Sequence, residues 1–353
     1  MTGSPATGRA LVTCEQWLGS NAYAGMKALR RTGWIVEVVS EREFVPLRWR
    51  RPRMRALGKA ARVASVREFN DEILRQAAHV PMEFFLAFKG AFVMAATLRK
   101  LRDAGTRTYL FYPDVSFRAH GPWLPEALPE YDWIFSAKRF GLTDLRAQLG
   151  VTSASLLLHG YDPDLHRPVS LSHFDRERYG CDVSFIGTWS PKKEAVLAAL
   201  ARARPSLRMR IWGEQWNRSE AVELADLIAG HEVIGEEYVR AIAASTINLG
   251  ILSERRTGAS DDDQITSRTF HIPACGGFML HERTEELGLL LTENEEVACY
   301  GDANELVRKI DLFLESGIHR QAITDSGGRT VRAHHSWDAR IRDILAHHVQ
   351  ATA

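Results

Sequence analysis

The chain has 353 residues, more than one hydrophobic core commonly serves and enough for two. Hydrophobic residues make up 45%, charged residues 25% and the formal net charge is +1, which excludes a disordered chain and a polyanion binder acting over its whole length. No run of about eighteen apolar residues occurs, which excludes a membrane-spanning helix.

Met1 to Arg9 is small and polar and lacks the apolar core of a secretory signal. Ala10 to Cys14 reads as a strand. Gly19-Ser20-Asn21 turns the chain into a helix from about Ala22 to Arg31, Gly33 stops it, and Trp34 to Val39 is a second strand. Strand, turn, helix, strand is the βαβ unit of a parallel sheet, although the turn lacks a full GxGxxG. From Arg48 to Arg62 there are seven basic residues and no acidic one, with Trp49, Met54 and Leu57 interleaved. That run suits an anionic membrane surface, a phosphorylated or nucleic-acid acceptor, or a solvated loop.

Phe84 to Phe88, Thr108 to Tyr112, Trp133 to Ser136 and Ala154 to Leu158 continue the strands, with a helix from about Val93 to Ala104. Gly160-Tyr161-Asp162-Pro163 and Pro168 mark a linker, and the pattern then restarts. Strands are expected at Cys181 to Ile186, Arg208 to Trp212, Glu232 to Ile234, Ile247 to Ile251 and Phe278 to Leu280. Helices are expected from Lys193 to Ala203, Glu236 to Ala244 and Ser267 to Ala274, through the stripe Leu306, Val307, Ile310, Phe313, Leu314, and over Trp337 to His348. The doublets His334-His335 and His347-His348 lack the i, i+4 spacing of zinc ligands and are expected at the solvated surface. Cys14, Cys181, Cys275 and Cys299 show no CxxC pairing and are expected to be reduced thiols of a cytoplasmic protein.

The expected architecture is two α/β domains in tandem, residues 1–165 and 166–335, facing across a cleft. A C-terminal helix over 336–353 is expected to pack back on the first domain. Such sheets bind ligands beyond their carboxyl ends.

The segment from Asp261 to Gly277 is the most informative. A loop feeding a helix N-terminus offers free N–H groups and the positive end of a dipole, which suits a phosphate. Thr266 and Ser267 are the expected N–H donors, and Arg268 adds a charge able to grip a phosphate twice. The same pattern also serves a capped core helix with a Gly stop.

The words Asp182-Val183-Ser184-Phe185-Ile186-Gly187, Arg268-Thr269-Phe270 and Ala274-Cys275-Gly276-Gly277 with Phe278-Met279-Leu280 resemble the donor-binding domain of GT-B glycosyltransferases, in particular the CgeB-like group with its GT4-like donor domain. Glu305-Leu306 and His334-His335 through Arg340 also fit, so the likeness covers roughly residues 180 to 345. The first half matches through Lys89-Gly90, Tyr112-Pro113-Asp114 and the Gly160-to-Pro168 linker.

The resemblance implies transfer of a hexose from a UDP- or GDP-sugar to a hydroxyl acceptor, with retention and without a metal or other cofactor. The acceptor is a glycan, a lipid-linked or small molecule, or a nucleic acid held through Arg48–Arg62. Peripheral membrane contact is a further expectation. The family's Glu-x7-Glu pair falls here on Asp263 and His271, with Asp263 toward the donor sugar and His271 near the ribose. The family's basic loop after the first strand of this domain falls on Gly187-Thr188-Trp189-Ser190-Pro191-Lys192-Lys193. Thr188 stands at the family's Arg position, so Lys192 or Lys193 together with Arg268 is expected to stabilise the leaving diphosphate. Gly213, Gln264, Ile265, Thr266, Ser267 and Arg268 complete the expected donor contacts. Asp114 and His120 are candidates for the base that takes the acceptor proton, and Gly19, Ser20 and Asn21 for the acceptor side. A non-catalytic relative with a degenerate donor site is the alternative, and a nucleotide-sugar epimerase a third.

Overall fold

The computed structural model describes residues 8–44 and 55–352, with the backbone alone for 55–60. The chain forms two compact units. One comprises Met1–Leu158, Arg255–Asp261 and Arg340–Ala353; the other comprises His159–Glu254 and Asp262–Ala339.

The first unit runs β1 (Arg9–Thr13), α1 (Asn21–Arg31), β2 (Ile35–Val39), α2 (Glu41–Phe44), α3 (Arg55–His79), β3 (Phe84–Phe88), α4 (Ala95–Asp103), β4 (Arg107–Tyr112), α5 (Trp123–Ala127), β5 (Trp133–Ser136), α6 (Arg139–Leu149) and β6 (Ala154–Leu156). Its six strands pair in the order β2-β1-β3-β4-β5-β6, each pair parallel. β3 and β4 are near-continuous apolar runs because helices cover both faces of a parallel sheet. Phe85, Leu110 and Ile134 are buried in one cluster with Phe69 and Ile73 of α3. Ser20 caps α1 through Tyr23 N, and Gly150 ends α6 at φ 67°.

The excursion Arg255–Asp261 packs within this first unit through three bonds. Ser116 Oγ donates to the Thr257 carbonyl at 2.7 Å, Gln148 Nε2 to the Gly258 carbonyl at 2.6 Å, and the Ser260 N–H to Asp144 Oδ2 at 3.0 Å.

The second unit runs α7 (His173–Tyr179), β7 (Cys181–Ile186), α8 (Pro191–Ala203), β8 (Met209–Trp212), α9 (Glu236–Ala244), β9 (Ser245–Gly250), α10 (Arg268–Ala274), β10 (Met279–Glu282), α11 (Glu285–Gly288), β11 (Ala298–Tyr300), α12 (Ala303–Glu315) and α13 (Gly317–His334). α14 (Trp337–Thr352) follows, and from Arg340 it belongs to the first unit. The five strands pair in the order β11-β10-β9-β7-β8, again all parallel. In each sheet the order reverses once, between β1 and β3 and between β7 and β9. Such a switch point opens a crevice beyond the carboxyl ends of the two strands that flank it.

Four sequence expectations are corrected. Glu232–Ile234 is not a strand. The outer side of β8 is met instead by Ile228, which bridges Ile211, while Val233 is buried by packing against Tyr179 and Trp212. The basic run does not form a loop throughout, since α3 begins at Arg55; its earlier part lies outside the described residues. The helix after the Asp261 loop starts at Arg268, not Ser267. The last histidine doublet is not fully solvated, since His347 is half-buried. His348 is buried, its Nδ1 2.9 Å from the Tyr109 hydroxyl, and His347 packs on Trp133 with centroids 4.3 Å apart. An aromatic floor of Trp34, Phe84, Tyr109 and Trp133 accepts this end of α14 edge-on and face-on.

All four cysteines are free and buried, and burial pushes the Cys14 thiol up to about 12. No helix among the described residues is long and apolar enough to cross a membrane.

Candidate functional site

The loop after β7 and the segment after β9 flank the switch point of the second sheet. Gly187 follows β7 directly, and a Cβ there would lie 2.8 Å from Arg268 Nη1 and 3.0 Å from the Phe185 ring. Gly213, after β8, sits at φ 140°, where a Cβ would lie 2.2 Å from the Gly187 carbonyl oxygen. These two glycines let the loop ends approach each other and the guanidinium. Trp216 Nε1 donates to the Gly187 carbonyl at 2.8 Å and holds the loop's first residue.

Pro191 opens α8, a position where its missing N–H costs nothing. The two lysines that follow separate. Lys192 pairs with Glu282 at 2.6 Å. Lys193 is buried, its Nζ donating at 3.1 Å to both the Thr188 carbonyl and Ser253 Oγ. It thereby ties the loop after β7 to the segment after β9. A cation in the first turn of a helix opposes the dipole, so this one is held by the acceptors around it.

Arg268 opens α10 and is half-buried. Its Nη2 donates to the Ile251 carbonyl at 2.7 Å, and its guanidinium lies 5.3 Å from the Phe185 ring centre. Its Nε is buried without an acceptor, and no carboxylate among the described residues forms an ion pair with it. Burial lowers its pKa, against the opposing pull of Tyr238, Asp263 and Tyr300.

Asp263 is buried, its N–H donating to the Ser253 carbonyl at 3.1 Å. Glu282 at the end of β10 steadies the same segment, accepting the Leu252 N–H at 3.0 Å as well as Lys192. Thr284 Oγ1 donates to the Gln264 carbonyl at 2.9 Å, and Ile265 is a core residue.

Three of the expected donor contacts are engaged within the chain. The Thr266 N–H, expected for phosphate, is used by Thr269 Oγ1 at 3.2 Å. The Ser267 hydroxyl lies 3.1 Å from His159 Nδ1. His271 is buried, stacked on His166 at 3.9 Å, with Nε2 3.3 Å from the Gly160 carbonyl oxygen. Burial, helped by His166, holds its pKa well below the usual imidazole value, so the ring is neutral at pH 7.

The first unit carries its own cluster at the ends of β3 and β4. Asp114 Oδ2 lies 2.8 Å from His120 Nε2 and 3.1 Å from Lys89 Nζ. Burial by itself raises the Asp114 pKa; His120 and Lys89 outweigh it and hold the carboxyl well below the ordinary range. Lys89 directly follows β3 at φ 67°, a left-handed conformation that costs energy for a residue with a side chain. The Tyr112 and Tyr131 hydroxyls, nearby in the chain, are buried without a partner among the described residues.

Sequence reasoning placed Asp114 and His120 separately, and the structure joins them. It missed Lys89 as their partner, for which the positive φ is a structural signal only. It also missed Ser253, Glu254 and Tyr300. Tyr300 ends β11 with its hydroxyl buried and unpartnered, and one Glu254 carboxylate oxygen is in the same state. Native proteins leave few buried polar atoms unpaired, and each such atom calls for an explanation. Here Ser190 and Glu254 follow β7 and β9 by four residues, Tyr300 ends β11, and Thr266 and Arg268 stand at the start of α10. No group of three or more metal-ligating side chains occurs among the described residues.

Residues 192–346, somewhat less than half of the chain, match the family described as glycosyl transferase-like. No curated protein matches the chain in sequence. Among solved structures, sucrose-phosphate synthase from Thermosynechococcus elongatus is 14% identical with a TM-score of 0.68, covering 98% of this chain and 100% of that one. A glycosyltransferase from Rickettsia africae is 11% identical with a TM-score of 0.66, covering 98% of both chains. Anabaena HepE in complex with UDP-glucose is 12% identical with a TM-score of 0.64, covering 96% of this chain and 99% of that one. The fold is GT-B, with two Rossmann-like parallel-sheet units. The family match and the fold together support a glycosyltransferase.

Proposed function

We propose that this protein moves a hexose from a UDP- or GDP-sugar to a hydroxyl acceptor, as a member of the CgeB-like group with a GT4-like donor domain. The observation that carries this reading is Arg268: a half-buried guanidinium beside the β7–β9 switch point, anchored on a backbone carbonyl, whose Nε has no acceptor and which forms no ion pair with a carboxylate among the described residues. Such a group awaits an anion, and the leaving diphosphate of a sugar nucleotide is one.

In this mechanism Lys193 and Arg268 stabilise charge on the leaving oxygen as the glycosidic bond breaks, so no metal is required to offset it. Asp263 accepts hydrogen bonds from the donor sugar. Lys192, paired with Glu282, steadies the loop or exchanges its partner for phosphate when the donor binds. Asp114 and His120 take the acceptor hydroxyl's proton. The resemblance supports retention of configuration. The UDP-glucose held by Anabaena HepE supports a uridine donor. The Arg48–Arg62 run is the proposed contact with an anionic membrane or a phosphorylated acceptor, and a cytoplasmic location belongs to the same reading.

One observation favours a second reading, a binding protein with a degenerate donor site: His271 is neutral and engaged by His166 and the Gly160 carbonyl. Incubation with UDP-, GDP-, ADP- and TDP-sugars, followed by analysis of free sugar and anomeric configuration, separates the two. The enzyme releases sugar slowly in the absence of acceptor. Donor binding with no release or transfer to any acceptor tried would favour the second reading.

A further inference from the structure

We infer that Glu254 binds a vicinal diol of the sugar nucleotide through its carboxylate, a role that no motif in the chain marks. The inference rests on the reading of the second unit as a sugar-nucleotide site.

Its first support is place. The segment from Ile251 to Glu254 continues β9 beyond the switch point. The Ile251 carbonyl holds Arg268, Ser253 Oγ holds Lys193, and the Ser253 carbonyl receives the Asp263 N–H. Glu254 is the next residue after these anchors.

Its second support is an unmet valence. Glu254 Oε2 is buried, and among the described residues no donor reaches it. Two other acids of the second unit are satisfied. Glu282 takes Lys192 and the Leu252 N–H, and Glu194 takes the Glu220 and Ala221 N–H groups, each at 2.9 Å. A carboxylate oxygen accepts hydrogen bonds, so the partner it lacks is a donor. A buried acceptor without one is costly, and a bound ligand that supplies donors removes that cost.

Its third support is electrostatic. A carboxylate repels a diphosphate, so Glu254 suits the hydroxyl-bearing part of the ligand. Two neighbouring hydroxyls present paired protons that one carboxylate accepts together, as it does from a guanidinium fork. His271 cannot take this part, being neutral with Nε2 directed at the Gly160 carbonyl.

Two parts of a sugar nucleotide carry such diols, the ribose and the transferred sugar, and the test separates them. Titration calorimetry of wild type and Glu254→Gln uses UDP, 2′-deoxy-UDP and UDP-glucose, with GDP, 2′-deoxy-GDP and GDP-mannose as the matching guanosine set. Thermal unfolding of both proteins establishes that the isosteric variant is folded. A tenfold or greater loss confined to the sugar nucleotide assigns Glu254 to the transferred sugar. An equal loss for nucleotide and sugar nucleotide, with the 2′-deoxy compound unaffected, assigns it to the ribose. Unchanged or tighter binding of all ligands by a folded Glu254→Gln overturns the inference. If wild type binds neither set, the donor-site reading fails first and this inference falls with it.

Discussion

Arg268 donates one Nη2 hydrogen to the Ile251 carbonyl, 2.7 Å away, and its Nε has no acceptor among the described residues. A carbonyl fixes the guanidinium's direction while leaving its charge uncancelled. Lys192 shows the contrast: it is spent on Glu282 at 2.6 Å. The first arrangement stores an electrostatic preference for an incoming anion, and the second cancels it.

Arg268→Ala is therefore expected to weaken UDP or GDP binding by about 10- to 100-fold, the range of one to two charge-assisted hydrogen bonds. Arg268→Lys restores charge without the planar fork and recovers part of the loss. Isothermal titration measures both. Full affinity in the alanine variant would remove Arg268 from the site.

Gly187→Ala tests the close approach beside it. The new methyl falls 2.8 Å from Arg268 Nη1, a flexible side-chain end, and 3.0 Å from the Phe185 ring. The guanidinium moves, so nucleotide affinity drops while stability falls by only about 1 kcal/mol. Gly213→Ala meets the Gly187 backbone oxygen at 2.2 Å from a φ of 140°, which neither partner can relieve cheaply. Its melting temperature should fall further than that of Gly187→Ala. Equal melting temperatures for the two variants would contradict the geometry.

His120→Ala and Asp114→Asn address the first unit. If the pair takes the acceptor proton, turnover at saturating donor falls by about 100-fold or more, as for loss of a general base. Calorimetric affinity for the nucleotide stays at the wild-type level. Turnover close to wild type in both variants would assign the Lys89–Asp114–His120 cluster to structure alone.

Acid stability reports on His281. The ring is fully buried on β10, its Nε2 3.0 Å from Thr269 Oγ1, and burial lowers its pKa from 6.5 to about 4. The unfolded chain therefore binds the proton more readily. The stability that neutral His281 supports is complete above pH 6.5 and declines as the pH falls from 6.5 toward 4. By pH 5 the loss is about 2 kcal/mol from this group. Urea unfolding at pH 7 and pH 5 should show that decline, and His281→Asn should reduce it. An unchanged pH dependence in the variant would show that other groups cause it.

Much of the architecture follows from local chemistry in the sequence. Apolar runs such as Phe84–Phe88 must be covered on both faces, and a glycine such as Gly33 must end a helix. Hence the two α/β units, most strands and the loop after β7 could be read directly. Short elements such as β11, at three residues, carry too little pattern to be seen. The helix α3 was hidden because basic residues mask its start.

The individual roles were settled by partners distant in sequence. Lys192 and Lys193 are adjacent and chemically identical, yet successive helical residues point about 100° apart. One reaches Glu282, the other Ser253. His347 and His348 resemble surface residues until an aromatic floor built from three strands and from Trp34, just before β2, packs against them. Arg268 was legible as a basic residue at a helix start, but that it forms no ion pair with a carboxylate among the described residues is a property of the packed unit. Residue type and local pattern determine what a side chain can do. Burial, and the absence or presence of a partner across the fold, decide whether that capacity is already spent or left for a ligand.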